Sequence, residues 1–120
     1  MESRMSQFLT ETEESGIRVL ALALPEQLES SWFDDLNKEM LGAIDARPGD
    51  RWVLDLSNVD YMGSTLLGLM VNIRQRIKQA GGQLALCCMS ERLDAIFRAC
   101  SLINIFTICK TRQQAIRDLR

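Results

Sequence analysis

At 120 residues the chain can build one two-layer core but not two, so a single domain spanning 1–120 is expected. Its 47% hydrophobic and 25% charged residues are those of an ordinary soluble globular protein. Fourteen basic against sixteen acidic side chains leave a net charge of -2, which argues against nucleic acid as the main partner, since phosphate binding needs a basic face.

The elements follow in chain order. Residues 7–13 read as an edge strand, and the turn Glu14-Ser15-Gly16 leads into an apolar strand over 17–24 that Pro25 ends. Ser30 or Ser31 can cap a helix from Trp32 to about Ala46, with Trp32, Phe33, Leu36, Met40 and Ile44 at helical spacing. Arg47-Pro48-Gly49-Asp50 is a turn, and 52–56 is a short buried strand. Leu66, Met70, Ile73 and Ile77 then recur as the stripe of an amphipathic helix that Gly81-Gly82 closes. A strand over 83–88 follows, then a helix from Ser90 through Cys100 and a short last strand over 105–109. Thr111-Arg112-Gln113-Gln114 matches a capping box that starts a final helix to Leu119. Alternation of this kind implies an α/β fold with a mixed sheet of about four to five strands and about four helices.

Catalytic chemistry has little support. There is no histidine, the commonest general acid or base near neutral pH, and no imidazole to activate a cysteine. No G-x-x-x-x-G-K-[ST] loop exists, which excludes nucleotide hydrolysis of the P-loop kind. The expectation is a non-enzyme without cofactors. Cys87 and Cys88 are adjacent in a strand and so should point to opposite faces. Without histidine or a C-x-x-C pair a metal site is not expected, and all four cysteines read as reduced, buried core thiols. Arg74, Arg76 and Lys78 read as a solvated helix face.

No apolar run approaches the roughly 18 residues of a membrane span. The acidic, polar start MESRMSQFLTETEE is unlike a secretory signal, so a cytoplasmic location is expected.

The most informative stretch is 53–68, VLDLSNVDYMGSTLLG. A short apolar strand runs into a loop holding Asp60, and the loop ends at the hydroxyl pair Ser64-Thr65, where an apolar helix begins. Strand, polar loop and helix N-terminus together expose backbone N–H groups and the positive end of a helix dipole. A hydroxyl there can accept a phosphate, face a partner, or merely cap the helix. Asp55, inside an apolar strand, must either emerge near the strand end or be held by backbone N–H groups of the following loop. Asp60, four residues before Ser64, can help order the loop. Met62, Leu66, Leu67 and Met70 belong to a stripe so wide that part of it is expected to stay accessible to a partner.

The stretch resembles the phosphorylation-site signature of the STAS domain family, in which a hydrophobic lead precedes D-S-S-G-L-G or D-S-T-G-L-G. Here the lead is Val59-Asp60-Tyr61-Met62 and the signature reads Gly63-Ser64-Thr65-Leu66-Leu67-Gly68. Gly81-Gly82-Gln83-Leu84 and Leu102-Ile103-Asn104-Ile105-Phe106 are similar to further family steps. The resemblance implies an anti-sigma factor antagonist that regulates transcription by partner switching. Thr65 would be the phosphoacceptor, with Ser64 beside it, and Asp60, Met62, Gly63, Leu66 and Leu67 would meet the partner, an anti-sigma factor or switch-type protein kinase. Weak self-association stays open. The alternative is a non-switching STAS subunit of a transporter complex or signalling scaffold. Two departures bear on the choice: the signature aspartate is Gly63 here, and the glycine after the phosphoacceptor is Leu66, which would crowd the helix start.

Overall fold

The computed structural model describes residues 4–5, 8–25 and 27–120. The elements run β1 (Arg4–Met5), β2 (Leu9–Glu14), β3 (Ile17–Ala23), α1 (Ser30–Asp45), β4 (Arg51–Asn58), α2 (Ser64–Gln79), β5 (Gln83–Cys87), α3 (Glu91–Ala99), a 3-10 turn at Leu102–Asn104, β6 (Thr107–Cys109) and α4 (Arg112–Leu119). One sheet joins the strands in sequence order, β1 to β6. β1–β2 and β2–β3 are antiparallel, whereas β3 to β6 are mutually parallel.

A parallel sheet must be covered on both faces, because its crossovers lay helices against it. Here α1, α2 and α3 cover one face over Leu20, Leu22, Trp52, Leu54 and Leu86. The short α4 covers the other, seating Ala115, Ile116 and Leu119 on Val19, Val53, Ala85 and Cys109. The central strand β4 is therefore buried on both sides from Trp52 to Leu56. No helix among the described residues is long and apolar enough to cross a membrane.

The expected α/β architecture with a mixed sheet and four helices is present, and several boundaries differ from the sequence reading. Among the described residues the sheet has six strands, the outermost, β1, only two residues long, so β2 lies one strand in from it; Gln7 falls outside the described residues. Neither Ser30 nor Ser31 caps α1: both are inside the helix, and Glu29 is its N-cap without a side-chain bond, its carbonyl accepting from the Phe33 N–H at 2.9 Å. The last strand starts at Thr107, because Ser101 turns left-handed at φ 59° and starts the 3-10 turn over Leu102–Asn104.

Other caps agree with the sequence. Ser90 Oγ accepts from the Leu93 N–H at the start of α3, and Thr111 Oγ1 accepts from the Gln114 N–H at the start of α4. Gly81 and Gly82 close α2 in a Schellman motif: the Gly82 N–H donates to the Ile77 carbonyl at 2.8 Å and the Gly81 N–H to Lys78 at 3.0 Å. Gly81 needs its positive φ of 84°. Gly82 needs the absence of a side chain, since a Cβ there would run into the Asp50 carbonyl oxygen.

The cysteines depart from expectation. Cys87 is buried, but Cys88 has left the strand at φ 65° and packs against the same cluster rather than the opposite face. Cys100 is exposed, not core.

The two kinds of glycine predict opposite outcomes. Gly82→Ala should lower stability by about 1–3 kcal/mol, the cost of forcing an atom into occupied space. Gly42→Ala, in mid-α1 with open space around it, should raise stability by about 0.5–1 kcal/mol. Urea unfolding of both variants beside the parent measures the pair.

Candidate functional site

β4 ends at Asn58, and the chain needs only Val59–Gly63 to reach α2. Two buried apolar side chains hold this short connection. Val59 is buried, its N–H donating to the Leu56 carbonyl at 3.0 Å, and Met62 is 1% exposed in the main core. Between and after these anchors Asp60, Tyr61, Ser64 and Thr65 reach solvent.

Asp55 sits 6% exposed at the root of the loop. Its Oδ1 accepts from the Ser57 N–H at 2.9 Å and from Ser57 Oγ at 2.6 Å. Its Oδ2 accepts from Arg112 Nε at 2.9 Å and Nη2 at 2.8 Å. Arg112, the first residue of α4, also donates to Glu14 at 2.7 Å. The backbone N–H partner was foreseeable from the sequence. Arg112, fifty-seven positions away, carried no sequence signal. Burial pushes the Asp55 carboxyl up, but the Ser57 hydrogen bonds and Arg112 together outweigh it, leaving it below its ordinary value.

On the other side, Arg92 at the start of α3 pairs with Asp60 at 3.3 Å and lies 5.1 Å over the Tyr61 ring. Tyr61, 37% exposed, is one of the two large apolar side chains that remain open among the described residues. The Asp60–Arg92 pair is solvent-exposed and so worth about 0–1 kcal/mol. Sequence reasoning missed Tyr61 as a surface residue and Arg92 as its neighbour.

Gly63 is the N-cap of α2, with φ -81° and ψ 178° and no side chain to bond the first N–H groups. The first turn has no acidic residue, while Arg76 and Lys78 occupy the last. No acidic side chain of α2 itself therefore sits at the positive end of the dipole beside Ser64 and Thr65, both exposed. Beside them lies a groove of about 530 Å³ between α1 and the loop, lined in part by Leu28, Phe33, Asp34, Tyr61 and Thr65.

Met62, Leu66 and Leu67 do not form the accessible apolar patch expected of them. All three are buried, as are Leu69, Met70, Ile73 and Ile77. α2 packs against both the sheet and α1, which buries the wide apolar stripe apart from the half-exposed Val71. Nor does Leu66 crowd the helix start: it points into the core. Of the stripe on the basic side, Arg74 is half-buried and donates to the Ile105 carbonyl at 2.7 Å, and Arg76 pairs with Asp45.

The depressed Asp55 carboxyl has a pH signature. A group lowered by folding stabilises fully above its unfolded value, about pH 4 for a carboxylate. That stabilisation is lost as pH falls from there through the folded value. Asp55→Asn should be less stable by about 1–3 kcal/mol at neutral pH and should lose part of the parent's acid-induced destabilisation. Urea unfolding of both proteins across an acid series tests this.

A family profile for the STAS domain matches residues 9–115. The chain is 28% identical over 101 residues to an anti-sigma F factor antagonist from Paenibacillus polymyxa, covering 84% of this chain and 86% of that protein. In fold it is similar to an anti-sigma-factor antagonist (STAS) domain protein from Planctomyces limnophilus, with a TM-score of 0.81 at 22% identity over 92% and 97% of the two chains. It is also similar to the Bacillus cell fate determinant SpoIIAA, solved in the phosphorylated form, with a TM-score of 0.67 at 16% identity over 93% and 99%. The matched residues span both faces of the sheet and the whole loop from Asp55 to Thr65: the chain belongs to the STAS domain family.

Proposed function

We propose that the chain is an anti-sigma factor antagonist-like binding module without catalysis of its own, cytoplasmic, which switches partners under Ser/Thr phosphorylation. The observation that carries this is the exposed pair Ser64-Thr65 at an uncapped, acid-free helix N-terminus, next to a groove. Thr65 is the favoured phosphoacceptor and Ser64 the second. The partner is an anti-sigma factor or a switch-type protein kinase. The names of the curated relatives support the role, and the phosphorylated form of a fold neighbour supports the chemistry.

The contact surface differs from the one first expected. With Met62, Leu66 and Leu67 buried, they act by holding the loop, and Gly63 contributes backbone. The partner then meets Asp60, Tyr61, Ser64, Thr65 and the groove walls Leu28 and Phe33. A phosphate on Thr65 adds about -1.5 to -2 charges. Within the domain that charge is tolerated by the helix N-terminus. At an interface it must be desolvated next to Asp34, which lines the same groove. The switch therefore works by blocking association and leaves the fold intact.

Thr65→Ala should bind the anti-sigma partner as the parent does. Thr65→Glu should bind it more weakly by about 1–3 kcal/mol, the cost of burying an uncompensated polar group. Melting temperatures of both should stay near the parent's. Calorimetric binding beside thermal melts separates these effects. Parent-like binding by Thr65→Glu, with no phosphate mapped to Thr65 or Ser64, would favour a non-switching docking subunit instead.

A further inference from the structure

Three of the four cysteines belong to or pack on the apolar cluster that α4 covers on one side of the sheet. Cys87 is wholly buried at the end of β5, and its register partner on the adjacent strand is Cys109, also buried. Cys88 turns out of the strand at φ 65°, a conformation rare for a residue with a side chain, and packs half-buried on the same cluster. The sulfurs of Cys87 and Cys88 and a carboxylate oxygen of Asp55 lie within 4.8 Å of one another.

We propose that Cys87 and Cys88, with Cys109 at their side, form a site for one soft, thiophilic cation, with Cu(I) as its representative. The donor set argues for softness. Both oxygens of Asp55 are already engaged by Ser57 and Arg112, which leaves sulfur as the ligand atom. A set of two or three thiolates suits a soft monovalent ion, whereas Zn(II) closes its shell with four donors. The buried Cys109 Sγ is 3.5 Å from Asp118 Oδ2, a weak contact that it would exchange for the ion as the third ligand.

The obvious competing fate is a disulfide between the neighbours Cys87 and Cys88. Consecutive Cα atoms stand about 3.8 Å apart across a trans peptide, short of the roughly 4.4 Å at which unstrained disulfides begin. A bridging ion, with metal–sulfur bonds of about 2.3 Å, removes that constraint, because the sulfurs then need not touch. Each coordinating thiol releases its proton on binding. The half-buried Cys88 provides the approach from solvent.

The test is an anaerobic titration of the reduced full chain with Cu(I) in competition with a colorimetric Cu(I) chelator. One equivalent should bind, and Cys88→Ser and Cys109→Ser should each weaken binding by at least about tenfold. Cys100→Ser, at the exposed end of α3 on the opposite side of the sheet, should leave it unchanged. X-ray absorption of the loaded protein should show a shell of sulfur alone. Cys88 is only half-buried, so its variant decides the matter even where Cys109→Ser does not fold. Parent-like affinity in Cys88→Ser, loss of binding in Cys100→Ser, or a shell dominated by nitrogen and oxygen would each overturn the proposal.

Discussion

A carboxylate inside a strand that is buried on both faces must be compensated, and the way Asp55 is compensated organises this protein. One oxygen binds the N–H and hydroxyl of Ser57, the other takes two donors from Arg112. Hydrogen bonds to a charged group contribute about 1.5–3 kcal/mol, and leaving the charge unpaired would cost more. The bonds also connect parts that lie far apart along the chain: the end of β4, where both Asp55 and Ser57 lie, and the first residue of α4. Arg112 extends the connection to Glu14 at the end of β2. The helix that closes the second face of the sheet is thereby fastened beside the root of the loop that serves the first.

This fastening bears on how the loop can work. Only five residues separate β4 from α2, and Val59 and Met62 are buried among them. Binding surfaces held in this way lose little conformational freedom on association, which leaves more of the contact free energy for affinity. A rigid presentation also restricts what a modification can do. A charge added at Ser64 or Thr65 meets solvent and an uncapped helix end, so it has little strain to release into the fold. Its effect falls on whatever docks there.

Much of this was legible in the sequence, and the remainder has identifiable physical causes. Helix stripes, the capping of α3 and α4 and the glycine closure of α2 follow from spacing within one segment, which local periodicity reports well. The surface of α2 was misjudged because its apolar stripe was weighed against one neighbour, while the fold supplies both the sheet and α1. The arginine partners of Asp55, Asp60 and Tyr61 were invisible for a related reason: Arg112 and Arg92 belong to other helices, and arginines on amphipathic helices look alike until the fold selects one. Cys88 was misplaced because strand alternation was extended one residue too far, past the point where φ turns positive.

The two departures from the STAS signature can be weighed in the same terms. Gly63 is in extended backbone that any residue adopts, and a Cβ there would come no nearer than 3.9 Å to Tyr61. The site therefore has room for the aspartate of the signature, and its absence leaves the first N–H groups of α2 available to an incoming anion instead of to an internal carboxylate. Leu66 is the third residue of the helix and turns inward, so its bulk fills the core and leaves the outward side of Ser64 and Thr65 clear. Neither change distorts the loop. Only the first alters what the loop offers electrostatically, removing one negative charge next to the hydroxyls; the second exchanges one neutral residue for another that is buried. A phosphate held there meets less repulsion from its own chain, whereas a kinase that reads the aspartate loses a contact. On the proposed switch, the Gly63 departure would therefore act on how a kinase recognises the loop more than on the domain's capacity to hold a phosphate.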